Sequence, residues 1–142
     1  MPVPSILIIE DDPGLSMMIG HTLRRSGFQV LTAMSGAAGI SLALSNPPTL
    51  MLLDYALPDM LCTDLVRHLS LLNRCPPFII VTGQGDERVA VKMMKLGARD
   101  YLIKDESLLE LIPHVIFRAC DELEREQRLV AANQEIKRLN AQ

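Results

Sequence analysis

The sequence predicts an α/β fold, a doubly wound parallel sheet with helices on both faces. Three observations carry that expectation. Short apolar runs recur along the chain, stretches of helical spacing separate them, and glycine or proline closes most of those stretches. The runs at residues 6–9, 50–53, 78–81 and 101–103 are continuous and not alternating, as in strands buried on both faces of a parallel sheet.

Taken in order, the first run follows Pro2 and Pro4. Leu15, Met18, Ile19, Thr22 and Leu23 then mark a helix that Gly27 closes. Residues 28–33 alternate only in part and predict a strand nearer an edge. Ala37, Ile40, Leu42 and Leu44 mark a second helix, stopped by Asn46-Pro47-Pro48. Leu65, Leu69 and Leu72 mark a third, stopped by Pro76-Pro77, and Val89, Met93, Met94 and Leu96 a fourth, ended by Gly97. Pro113 suits a first turn, so residues 106–112 predict a short turn or a kinked first helical segment.

Nothing breaks a helix from residue 113 to about 140, a length of roughly 40 Å. Its apolar positions form two sets. Ile112, Ile116, Ala119 and Leu123 step 4-3-4, and Leu129, Ala132, Ile136 and Leu139 step 3-4-3 in a shifted register. Two offset registers predict a short coiled coil with a stutter. The expected organisation is one domain over residues 1–118 and a helical extension over residues 119–142.

Composition narrows the function classes. A chain of 142 residues is one domain with a remainder, and 49% hydrophobic residues supply a core. The net charge of −3 argues against a strongly basic nucleic-acid surface, as do five acids against four bases from Asp121 onward. No apolar run has the length of a membrane span, and the amino terminus lacks the pattern of a secretion signal. Cys62, Cys75 and Cys120 have unrelated spacings and fit reduced thiols in a cytoplasmic protein. His21, His68 and His114 lack ligand spacing, and Gly83 and Gly85 do not make a phosphate-cradling loop.

The informative feature is where the polar residues fall. The first run ends in Glu10-Asp11-Asp12, the third in Asp54, the fourth in Thr82 and the fifth in Lys104. In an open parallel sheet the carboxyl ends of the strands line the ligand site, so these side chains should converge. Clustered carboxylates repel one another unless a cation joins them, and an all-oxygen donor set favours a hard ion such as Mg²⁺. A carboxylate can act as a nucleophile toward phosphorus, lysine can pair with a phosphoryl oxygen, and a threonine hydroxyl can donate to another. The inventory describes a phosphoryl acceptor site.

With these residues placed, the chain resembles the receiver domain of bacterial two-component response regulators. The resemblance rests on ILIIEDDPG at 6–14, LLDYALPDM at 52–60, VTGQGD at 81–86 and GARDYLIKD at 97–105, and it covers about residues 4–118. It implies a flavodoxin-like five-stranded parallel sheet of order 2-1-3-4-5 with five flanking helices. It implies Asp54 as phosphoacceptor, with Mg²⁺ held by Glu10, Asp11, Asp54 and the backbone carbonyl of Ala56. Asp12 then belongs to the start of the first helix. Thr82 becomes the switch hydroxyl, Lys104 the partner of the phosphoryl group, and Tyr101 the switch aromatic that turns inward. Tyr55, Ala56, Gly83 and Gln84 flank the pocket.

Two positions depart from the family pattern. Leu61-Cys62 stands where Asp-Gly is common, which alters the loop into the third helix. Asp105 stands where a cis proline usually follows the lysine, leaving either a trans, rearranged loop or a strained bond.

The expected function is a signalling switch, phosphorylated by a histidine kinase, a phosphotransfer protein or a small phosphodonor. The helix would pass the change on as one strand of a parallel homodimer. The chain is expected to catalyse only its own phosphotransfer and dephosphorylation, without direct nucleic-acid or membrane contact. It reads either as part of a longer regulator with a C-terminal output domain or as a single-domain protein whose helix is its output. Two alternatives are a phosphorylation-independent scaffold and an aspartate-nucleophile phosphatase, although Ala56 stands where such phosphatases carry a second acid.

Overall fold

The computed structural model describes residues 3–83 and 87–141. Pro2, Gln84 and Gly85 therefore lie outside the described residues, as does part of the 81–86 motif. The elements run β1 (Ser5–Ile9), α1 (Pro13–Arg25), β2 (Gln29–Ala33), α2 (Gly36–Ser45), β3 (Leu50–Asp54), α3 (Cys62–Leu71), β4 (Phe78–Thr82), α4 (Glu87–Leu96), β5 (Tyr101–Ile103) and α5 (Leu108–Asn140). The strands form one parallel sheet of order β2-β1-β3-β4-β5, as the resemblance implies.

Alternation along each strand builds two cores. Ile6, Ile8, Leu50, Leu52, Ile79 and Val81 pack with Ile19 and Leu23 of α1 and Ile112 and Ile116 of α5. Leu7, Ile9, Met51, Leu53 and Ile80 pack with Ala43 of α2, Leu65 and Leu69 of α3 and Met93 of α4. Central strands buried on both faces have no polar side, which is why they read as unbroken apolar runs. No helix among the described residues is long and apolar enough to cross a membrane.

Local signals set the ends. Asp12 caps α1, accepting hydrogen bonds from the Gly14 and Leu15 amides at 2.9 and 3.2 Å. Gly27 follows α1 with φ +96°, a conformation that costs glycine little. Met18, Leu72 and Met94, counted among the apolar helix positions, are exposed.

The structure corrects one expectation and decides between the alternatives of another. β5 is not buried on both faces: it is an edge strand paired with β4 alone, and Ile103 is 39% exposed. Continuity of three apolar residues is too short a pattern to separate an edge from the interior. For residues 106–112 the structure favours the helical alternative over the turn: only residues 106 and 107 form a turn, and α5 begins at Leu108 and runs on through Pro113. Proline there removes one amide donor toward Leu109. Burial of Leu108, Ile112, Val115 and Ile116 on one stripe offsets that loss.

The Lys104–Asp105 bond is trans, with no cis peptide among the described residues. Asp105 replaces the usual proline with a turn of its own. Its carboxylate accepts hydrogen bonds from the Ser107 amide (3.0 Å) and hydroxyl (2.9 Å), leading the chain into α5. The Leu61-Cys62 departure is absorbed by a short bridge between Ala56 and Leu61, with Leu61 exposed and Cys62 buried. The Cys62 thiol packs 3.6 Å from the Met93 sulfur.

Candidate functional site

Parallel strands in register deliver their carboxyl ends to one place. Asp54 is the last residue of β3 and lies opposite Val81, while Thr82 closes β4 opposite Ile103. Glu10 follows β1 directly, its amide bonded to the Ala33 carbonyl at 3.0 Å. Lys104 follows β5, its amide bonded to the Thr82 carbonyl at 2.8 Å. Four strand ends thus bring Glu10, Asp54, Thr82 and Lys104 to one edge of the sheet.

Lys104 is the hub of this edge. Its Nζ lies 2.6 Å from Glu10 Oε1 and 3.2 Å from Asp54 Oδ2. Glu10, Asp54 and Thr82 are buried, whereas Asp11 is exposed at the rim. Glu10, Asp11 and Asp54 each offer a carboxylate oxygen within 4.8 Å of the others. Asp54 Oδ1 accepts a long hydrogen bond from the Ala56 amide (3.4 Å), and Glu10 Oε2 accepts one from the Asp12 amide (3.2 Å).

Charge crowding shows in the proton affinities. Burial pushes the Glu10 carboxyl up to about 7, with the neighbouring Asp54 adding to the rise and Lys104 opposing it. The hydrogen bond from Glu10 holds Asp11 below the usual carboxylate range. Burial disfavours the Lys104 ammonium, but Glu10 and Asp54 more than offset this and raise its pKa. Three carboxyl groups share one ammonium, so negative charge there is under-neutralised once Glu10 ionises. An all-oxygen set without histidine or cysteine is the chemistry that suits a hard divalent cation, so these residues fit Mg²⁺.

Tyr101 and Thr82 lie on adjacent strands, since Tyr101 pairs with Ile80 two residues before Thr82. Tyr101 is half-buried against the core that includes Ile80 and Met93. Tyr55 is half-buried beside the pocket, and Ala56 and Gly83 are exposed there. His21, His68 and His114 are all exposed, on α1, α3 and α5, and among the described residues none belongs to the cluster of possible metal ligands.

Asp59 is a residue the sequence reading passed over. Its carboxylate accepts hydrogen bonds from the Gly36 and Ala37 amides at 2.8 and 2.9 Å, which hold it below the usual carboxylate range. It caps α2 from the β3–α3 loop and fixes that loop beside the pocket. A Cβ on Gly36 would run into the Met60 side chain of the same loop, which would have to shift to admit it. The only sequence signal was the LPDM segment, which says nothing about which helix the aspartate caps.

Comparison with known proteins gives a consistent picture. The sequence profile of the response regulator receiver domain matches residues 6–116. The transcriptional regulatory protein CusR of Escherichia coli (strain K12) is 36% identical over 110 residues, covering 78% of this chain and 48% of CusR. The acid tolerance regulatory protein ActR of Rhizobium meliloti (strain 1021) is 30% identical over 132 residues, covering 93% of this chain and 68% of ActR. A CheY-like response regulator receiver domain protein from Methanospirillum hungatei JF-1 superposes with a TM-score of 0.79 at 27% identity, over 88% of this chain and 99% of that one. The chain spans about half the length of CusR.

Proposed function

The chain belongs to the response regulator receiver domain family, and on that premise we propose that Asp54 is its phosphoacceptor. Receiver domains accept a phosphoryl group and relay the signal by a conformational change, and this is the function of the domain described above. The observation that carries the residue assignment is the Lys104 ammonium bridging Glu10 and Asp54 at the ends of the strands.

In the proposed reaction an Asp54 carboxylate oxygen attacks the phosphorus of a phosphohistidine or a small phosphodonor. A P–O bond forms, the bond from phosphorus to the donor breaks, and the leaving group retains the bonding pair and takes up a proton. Glu10, Asp11, Asp54 and the backbone carbonyl of Ala56 would hold Mg²⁺, which supplies positive charge to the phosphoryl oxygens. Lys104 exchanges its present carboxylate partners for a phosphoryl oxygen. The Thr82 hydroxyl donates to another, and Tyr101 moves inward behind it.

The same reading assigns residues 1–118 as the receiver unit and residues 119–142 as a signalling extension. The partners are a sensor histidine kinase or phosphotransfer protein, a second copy through the extension, and an output domain beyond it. CusR is a transcriptional regulatory protein and ActR an acid tolerance regulatory protein, and the chemistry proposed for this chain is the domain's own phosphorylation and dephosphorylation. Three free cysteines fit a reducing cytoplasm.

Intact mass after incubation with acetyl phosphate and Mg²⁺ tests the assignment. The native chain should gain one phosphoryl group and Asp54→Ala none. No gain in the native chain, or an equal gain in the variant, overturns it. Turnover of a soluble phosphomonoester would point to a phosphatase.

A further inference from the structure

We propose that Arg99 and Glu126 form the joint through which the state of the phosphoacceptor pocket reaches the helical extension. The proposal rests on the reading of the pocket given above.

β5 connects two different kinds of contact. Past its carboxyl end, Lys104 holds Glu10 and Asp54. Before its amino end, Arg99 and Asp100 both reach α5. Arg99 meets Glu126 with both guanidinium nitrogens, Nη1 to Oε1 at 2.8 Å and Nη2 to Oε2 at 2.6 Å. Asp100 pairs with Arg118 at 2.9 Å. Roughly 16 Å of extended chain, at about 3.3 Å per residue, separates the two ends. β5 has a neighbour on one side only, which leaves it freer than a central strand to shift along its axis.

Glu126 is placed where such a shift would matter. It lies ten residues beyond residue 116, where the family profile stops. Leu123 is the last buried residue of α5, and every described residue from 127 onward is exposed. Among the described residues, no ion pair or hydrogen bond ties the helix to the sheet or its other helices beyond the Arg99–Glu126 fork. The two side chains are 27% and 56% exposed. An ion pair that open contributes little to stability. A two-point guanidinium fork does fix direction, which a single charge contact does not. Arg99 and Glu126 thus act as positioning residues. When Lys104 changes partners in the pocket, the movement of β5 is passed to the extension at Glu126.

Amide hydrogen exchange of residues 119–140, read with intact mass on the full chain, tests this. Acetyl phosphate with Mg²⁺ should change protection there by about fivefold or more in the native chain, the lower end of usual coupling strengths. Arg99→Ala and Glu126→Ala should gain the phosphoryl group as the native chain does, yet lose the response. Arg99→Lys, which keeps the charge without the fork, should lose most of it, and the exchanged pair Arg99→Glu with Glu126→Arg should restore it. A response that survives in the single variants, or a phosphorylated native chain without one, overturns the joint. Lys104→Met disturbs the pocket end without any phosphodonor. It should alter protection of residues 119–126 in the native background and not with Arg99→Ala. That arm decides the joint even where no phosphoryl group is taken up, an outcome that counts against Asp54 and not against Arg99.

Discussion

Glu10 is nearly sealed from water beside Asp54, and its carboxyl is pushed up to about 7 from an ordinary 4.5. In the unfolded chain the proton leaves near 4.5, so between these values the folded chain binds more protons. Stability from this group is complete below about 4.5 and is lost as pH rises through about 7. Asp11 is shifted the opposite way, so its contribution is lost only at more acid pH. Metal-free melting temperatures should therefore fall between pH 4.5 and 7, and Glu10→Gln should flatten that stretch. An equally steep fall in Glu10→Gln would assign the effect to another group. At this scale the sequence identified the pocket residues from strand ends, because each run stops where its polar residue begins. It did not show that Lys104 holds Glu10 more closely than Asp54, since that depends on how far β5 reaches past β4.

Among the elements, α5 carries the sharpest contrast between its halves. Its first part is a core helix, with Ile112 and Ile116 fully buried and Leu123 at 8% exposure. Its second part carries exposed Leu129, Ile136 and Leu139. A chain ending at Arg118 loses the buried Ala119 and Leu123 and should be about 2–4 kcal/mol less stable by urea unfolding. A chain ending at Arg128 keeps them and should stay within about 0.5 kcal/mol of the full chain. Equal stability of the two truncations would mean that the packing at Leu123 contributes nothing. The 3.6-residue spacing announced this helix, but Pro113 obscured its start. Proline preferences report the cost of the residue in isolation, and packing of the flanking turns outweighs that cost here.

For the whole molecule, the two stripes of α5 decide which faces are committed. Leu123 and Leu129 are six residues apart where seven would keep them aligned, so the distal stripe is rotated by about 100° from the one packed on the sheet. A second copy could then pair along Leu129, Ala132, Ile136 and Leu139 without disturbing the receiver core. An isolated helix of this length is marginal in water, which favours such a partner. Light scattering should show concentration-dependent dimers for the full chain and monomers for the chain ending at Arg128. Monomers for both at high concentration would rule out pairing through this stripe. The sequence by itself determined the alternation of strands and helices, the interior runs and the polar residues at their ends. Those features are local, because periodicity and strand termination are written in neighbouring residues. Only the tertiary structure decided that β5 is an edge, that Asp59 caps α2 and that Arg99 reaches Glu126. Each depends on residues far apart in sequence, and helix packing against the sheet, not any local pattern, brings them within hydrogen-bonding distance.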